Sequence, residues 1–212
     1  MGLRFRPIVE LRSGRVHAIA VIADATGPDD RRRSTDALAT LAGWRLSRPA
    51  ARDAAIAIDL AASDLARLTR RDLAGALAHH GLGPEALIVR VERFGLGDPT
   101  AGLDALVDAG ITIAIGDLDL RGADAGLLAG APIDVVELPA GAIARVDAGP
   151  PPAELRQLLA LAHRHDWLTL ATGVTRDAQV VALDRLGCDL QAGPLLGGDL
   201  DEAAVDRWLA AR

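Results

Sequence analysis

What most constrains this chain is a rhythm. From residue 55 onward, apolar runs of four to six residues alternate with stretches of helical periodicity. The apolar runs fall at 55–60, 87–91, 111–115, 133–138 and 168–171, and 188–191 reads as a last short strand. Between and after them, helices are predicted over 63–79, 100–108, 124–128, 151–165, 177–186 and 202–211. In the first of these, Leu65, Leu68, Leu73 and Leu77 form one apolar stripe. Strands separated by helices build βα units, and βα units build a parallel sheet covered on its faces. The opening departs from this plan. Residues 5–11 and 16–22 read as strands joined by Arg12-Ser13-Gly14-Arg15. A connection that short holds no crossover helix, so this pair is antiparallel. A polar Gly/Pro loop over 24–34 follows, with Ser34 or Thr35 as cap of a helix to about Trp44. Eight strands favour a closed barrel over an open sheet, and 212 residues with no linker or fixed repeat read as one domain, 1–212.

Composition excludes several classes. Asp and Glu number 29 against 23 Lys and Arg, a formal charge of -6. A mildly acidic chain has no global attraction to nucleic acid, so no nucleic-acid partner is expected. There is no Tyr, with two Phe and three Trp, so platforms for stacking bases are scarce. One cysteine, Cys188, gives no internal disulfide and no cysteine metal cluster, and it reads as a small packing group. The start MGLRFRPIVEL lacks the apolar core of a signal peptide, and no run of 18 uncharged apolar residues occurs. A cytoplasmic protein without a membrane span is expected.

Smaller features have plain readings. Arg31-Arg32-Arg33 after Asp29-Asp30 is a solvated loop, or a contact for a partner or anion. His17, His79, His80, His163 and His165 read as packed, exposed or capping groups. Gly81-x-Gly83 and Gly95-x-Gly97 lack the third glycine of a dinucleotide loop. Asp117-Leu118-Asp119 offers two carboxylates for a hydrated Mg²⁺, or Asp117 pairs with Arg90. Trp44, Trp167 and Trp208 read as seals at helix–strand corners, with Trp208 the alternative anchor for a partner.

Seven segments, in order, resemble one family. Phe5-Arg6-Pro7-Ile8-Val9 resembles an opening Tyr-Gln-Pro-Ile-Val, and Gly14-Arg15-Val16 the turn after it. Ala57-Ile58-Asp59-Leu60-Ala61 stands where a Val-Asn-Leu-Ser run is expected. The run from Gly110 to Asp117 resembles a strand ending in paired Asp, and that from Pro132 to Leu138 a segment ending Lys-Ile-Asp. Ala171-Thr172-Gly173-Val174-Thr175 follows an Ala-Glu-Gly-Val-Glu frame, with Gln179 and Leu186-Gly187-Cys188-Asp189 behind it. This is similar to the EAL domain, the family of cyclic-di-GMP phosphodiesterases. The resemblance implies an α/β fold, a modified TIM-like (β/α) barrel of the EAL type with an antiparallel first strand, trimmed in some helices or loops.

The resemblance also implies a site that has lost its chemistry. Two-metal phosphodiester hydrolysis needs oxygen ligands clustered at the C-terminal rim of the barrel. The Glu of the Glu-Ala-Leu motif falls on Ala20, the Asn on Asp59 and the Glu of the next strand on Arg90. The paired Asp fall on Gly116 and Asp117, the Lys on Glu137 and its neighbouring Asp on Pro139. The later Glu residues fall on Thr172 and Thr175, and the late Gln on Ala192. A guanidinium coordinates no metal, so Arg90 opposes a metal site. No catalytic residue, no metal and no cofactor are expected. For the nucleotide, the family's Gln falls on Arg6, the motif's Leu on Ile22 and an Arg on Asp24. A stacking Phe falls on Leu118. Arg6, Ile22, Asp59, Arg90 and Asp117 are therefore vestigial rim residues or ligand contacts.

The leading expectation is a catalytically inactive regulatory module that binds an unidentified protein in bacterial signalling. The alternative is a non-hydrolysing cyclic-di-GMP receptor, with Arg6 or Arg90 pointing into a groove. A third is another enzyme reusing the rim, which needs Asp59, Glu92, Asp117 and Asp119 to converge. A homodimer through the late helices stays open.

Overall fold

The computed structural model describes residues 3–22, 30–61, 69–92, 103–116 and 130–212, with 30–34, 61 and 92 described by backbone only. The strands are β1 (Arg4–Glu10), β2 (Val16–Ile22), β3 (Ala55–Ala61), β4 (Leu87–Glu92), β5 (Thr112–Ile115), β6 (Val135–Leu138), β7 (Leu168–Ala171) and β8 (Leu190–Gln191). They close a barrel in chain order. β1 runs antiparallel to both neighbours, β2 and β8, and the other neighbouring pairs are parallel. The antiparallel first strand expected from the short opening turn is therefore present. The described helices are α1 (Asp30–Ser47), α2 (Arg70–His79), α3 (Leu103–Ala109), α4 (Ala140–Ile143), α5 (Ala153–Arg164), α6 (Asp177–Arg185) and α7 (Glu202–Ala210).

Alternation along the strands sorts the core into two layers. Inside the barrel sit Ile8, Ala18, Ala20, Ala55, Ala57, Ile88, Ala114, Val135, Leu170, Leu190 and Ala192. Outside it, Phe5, Ile19, Ile56, Val89, Ile113 and Val136 pack against helix residues such as Leu41, Leu77, Leu106 and Leu158. Five of the interior positions are alanines on β2, β3 and β5. The strand pairing slips between Ile8 and Val9, from Ile8↔Ala18 to Val9↔Val16, leaving His17 as the extra residue of a bulge.

Several boundaries differ from expectation, each for a physical reason. α1 starts at Asp30 and not at a Ser34 or Thr35 cap, and it runs past Trp44 to Ser47. Nothing in 30–47 breaks a helix, and Arg is a good helix former. It stops because Pro49 forces Arg48 into an extended conformation, φ -127°, ψ 109°. β6 begins at Val135 because the Asp134 carboxylate accepts from the Ile113 N–H at 2.8 Å in place of a strand bond. β8 is two residues long because Asp189 uses its carboxylate, accepting from the Thr169 N–H and hydroxyl at 2.9 and 2.8 Å. α2 begins at a Thr69–Asp72 capping box, with Leu73 and Leu77 buried as expected. Leu65 and Leu68 lie outside the described residues, as does the helix expected over 124–128. The short α4 was not expected from the sequence; it follows Pro139 at its N-cap.

The tryptophans act as seals. Trp44 meets Phe5 edge-on at 5.1 Å, Trp167 stacks on His165 at 4.9 Å, and Trp208 carries Arg212 over its ring at 4.1 Å. Cys188 is buried, and burial pushes its thiol up to about 11. Among the described residues no helix is long and apolar enough to cross a membrane.

Candidate functional site

The inward alternation that places alanines in the barrel places charges at its C-terminal mouth. Two residues beyond Ala57 on β3 comes Asp59, and two beyond Ile88 on β4 comes Arg90. The two are register partners on adjacent parallel strands. Two beyond Val135 on β6 is Glu137, and two beyond Leu170, just past β7, is Thr172.

These four side chains form one network. Arg90 grips Asp59 with a two-pronged fork, Nε to Oδ1 at 2.5 Å and Nη2 to Oδ2 at 2.6 Å. Its Nη1 donates to Glu137 Oε2 at 3.1 Å. The other Glu137 oxygen, Oε1, accepts from the Thr172 hydroxyl at 2.6 Å. The Arg90, Asp59 and Glu137 side chains are 21, 23 and 18% exposed, so water screens them only in part. Gly116, at the end of β5, leaves room for this arrangement: a Cβ there would lie 2.9 Å from Glu137 Oε2.

The network fills the place where the sequence resemblance puts a metal centre. Both carboxylates are bound to a fixed cation, and a divalent ion would have to displace a guanidinium already in bidentate geometry. The described donor set therefore does not fit a two-metal site. Among the described residues no group of three or more His, Cys, Asp or Glu is arranged to hold a metal ion.

The other expected rim residues lie nearby but do different work. Arg6, on β1, donates from Nε to Asp199 Oδ1 at 2.7 Å, and Arg4 donates to the Asp199 carbonyl at 2.5 Å. Neither Arg6 nor Arg90 is thus a free cation aimed into a groove. Ile22 is half-buried against the inner cluster. Ala20 and Ala192 are buried apolar residues in the barrel interior. Thr175 donates to Gln179 Oε1 at 3.2 Å, and Gln179 also receives the Thr175 and Arg176 N–H groups and donates to the Ile143 carbonyl at 2.9 Å. Asp24, Asp117, Leu118, Asp119 and the Glu92 side chain lie outside the described residues, as do the side chains of Arg31, Arg32 and Arg33.

Two partners were missed in the sequence. The family resemblance assigns Glu137 only to a lost Lys, and nothing in the sequence marks Asp199 as a partner. The signal for Glu137 was available: opposite charges at inward positions of strands in one barrel. Asp199 had no such signal, because it is a loop residue.

At the opposite end of the barrel, a cavity of about 140 Å³ is lined by Glu10, Arg15, His17, Asp53, Glu85 and Thr112, among others. Burial lowers the His17 pKa below its ordinary 6.5, against the pull of Glu10.

Similarity to known proteins runs the length of this architecture. No curated protein matches the chain. The EAL domain of Mycobacterium smegmatis DcpA superposes with a TM-score of 0.84 at 21% identity, covering 99% of this chain and 97% of that one. The phosphodiesterase PaMucR, in complex with c-di-GMP, gives 0.78 at 22% identity over 96 and 93%. The EAL enzyme Bd1971, bound to cAMP and cyclic-di-GMP, gives 0.83 at 17% identity over 98% of this chain, which spans 64% of that one. At these identities the likeness establishes the barrel. The sequence itself matches the EAL domain over residues 1–198, which takes in every strand of the barrel and the network at its mouth. The chain belongs to the EAL domain family.

Proposed function

We propose that this chain is a non-hydrolysing EAL domain that serves cyclic-di-GMP signalling in bacteria as a regulatory, protein-binding module. The observation that carries the reading is the Arg90 fork. Its guanidinium takes the charge-neutralising place between Asp59 and Glu137 that a metal would need, and it supplies no nucleophilic water. The family and the c-di-GMP complexes of PaMucR and Bd1971 supply the signalling context. Against a receptor role stand the carboxylates already spent on the two arginines. Arg90 is held by Asp59 and Glu137, so a phosphate there would compete with bound carboxylates, and Asp199 already balances the charge of Arg6.

Two measurements test this. Purified protein is incubated with cyclic-di-GMP and Mg²⁺ or Mn²⁺, and linear product is followed; turnover above the metal-free control would overturn the reading. Calorimetric titration with cyclic-di-GMP, with and without Mg²⁺, should show no saturable binding up to about 100 μM. Binding at low micromolar concentration would instead make the chain a receptor.

A further inference from the structure

Away from the barrel mouth, a groove of about 730 Å³ lies between α1 and α7. Its α1 wall is made by Ala39, Thr40, Gly43 and Ser47, and Trp44 lies at its floor. The two hydroxyls on that wall are already spent. Thr40 donates to the Asp36 carbonyl at 2.9 Å and Ser47 to the Gly43 carbonyl at 2.8 Å. What remains is a low wall of small side chains, which lets a second helix approach closely.

The charged residues lining the groove, Glu202 and Asp206, are both acidic. On the α7 wall, Glu202 makes no ion pair among the described residues. Asp36, exposed one turn before Thr40, likewise has no ion pair among them. The cation at this boundary, Arg48, is consumed by Asp206 through Nε at 2.7 Å and Nη2 at 2.5 Å. That fork holds the Asp206 carboxyl below its usual range and ties the residue after α1 to α7. An open groove of small side chains, edged by carboxylates of which Glu202 and Asp36 make no ion pair among the described residues, is complementary to a helix with small or apolar residues along one ridge and Arg or Lys beside it.

We infer that the α1–α7 groove docks a cationic amphipathic helix of a protein partner. This rests on the reading of the chain as a protein-binding module and names the surface and chemistry that module uses. Beneath the groove, Trp44 touches the buried Phe5, and Phe5 exchanges two 2.8 Å backbone bonds with Leu200, the neighbour of Asp199.

The test uses the full chain and two fluorescent 18-residue helical peptides. They share an Ala/Leu ridge and differ only in flanking Arg or flanking Glu. Anisotropy titration should show the Arg peptide binding at about 50 μM and the Glu peptide not binding. Gly43→Leu fills the groove without a clash, since open space surrounds a Cβ built there, and it should weaken binding about tenfold. Gly75→Leu, equally open on α2, is the control and should leave binding unchanged. Glu202→Lys should weaken binding as Gly43→Leu does. Equal binding of the two peptides, equal effects of Gly43→Leu and Gly75→Leu, or no binding of the Arg peptide would each overturn the inference. None of these results bears on nucleotide turnover, so this site can fail while the non-hydrolysing reading stands.

Discussion

Replacing Arg90 by Met tests the network at the mouth directly. The substitution keeps most of the apolar stem and removes the guanidinium. Asp59 then loses both of its fork bonds, and Glu137 keeps only the Thr172 hydroxyl among the contacts described above. Breaking a buried pair by deleting one partner costs about 3–5 kcal/mol, because the remaining charge stays desolvated. Here the side chains are roughly a fifth exposed, so water recovers part of that cost and the expected loss is about 2–3 kcal/mol. For a chain of this size each kcal/mol moves Tm by about 2–4 °C, so Arg90→Met should melt about 4–12 °C lower. Urea unfolding read by circular dichroism measures the same loss independently. The decisive comparison is Asp59→Asn/Arg90→Met/Glu137→Gln, which removes all three charges. If stranded charge is the cause, the triple variant regains most of the stability that Arg90→Met loses. A single variant within about 0.5 kcal/mol of the parent would refute the network as a structural element. A triple variant no better than the single would show that packing, not charge, was lost.

Other outcomes follow from groups outside the mouth. His17 has a folded pKa below its ordinary 6.5, so the fold favours the neutral ring. That contribution is fully present above 6.5 and is lost as pH falls below it toward the folded value. Thermal melts should therefore drop between pH 7 and 5, and less so in His17→Gln; equal drops would exclude His17 as the source. Gln179→Leu should cost about 2–4 kcal/mol by chemical denaturation, because it strands two backbone N–H groups and the Ile143 carbonyl. Cys188, buried with its thiol pushed up to about 11, should resist a thiol-reactive dye at pH 8 until denaturant is added; rapid labelling of the native protein would contradict that burial. Gly193→Ala should destabilise sharply, since a Cβ there would sit 2.4 Å from the Val174 nitrogen at φ +151°, and a melt unchanged from the parent would refute that close approach.

The barrel was legible because its evidence is local. Strand–helix alternation, a four-residue turn and Gly/Pro punctuation each sit within a few residues of what they specify. The shortened strands share one cause, side chains that replace ladder bonds. Asp134 and Asp189 accept strand N–H groups with their carboxylates, shortening β6 and β8. The positions of Asp59 and Arg90 were readable, and so was the conflict between a guanidinium and a metal. Their partners were not, because Glu137 is 47 positions from Arg90 and meets it only once β3, β4 and β6 curve into one wall. Asp199 lies 193 positions from Arg6 and is brought to it by barrel closure alone.

That closure also dictates an order of events during folding. β1 is the first strand of the barrel, yet its outer edge is completed by Leu190, Gln191 and Leu200. Until those residues arrive, the β1 edge is a row of unpaired amides and carbonyls, and such edges recruit other chains. Contacts spanning 195 positions carry a high entropic cost of loop closure, so the seam is expected to form last and slowly. A chain stalled or cut within the segment before Leu200 would keep most of its βα units and leave the seam unfinished. Such a shortened chain should aggregate, and soluble yield against truncation point would trace how much of the seam must be present before the barrel shuts.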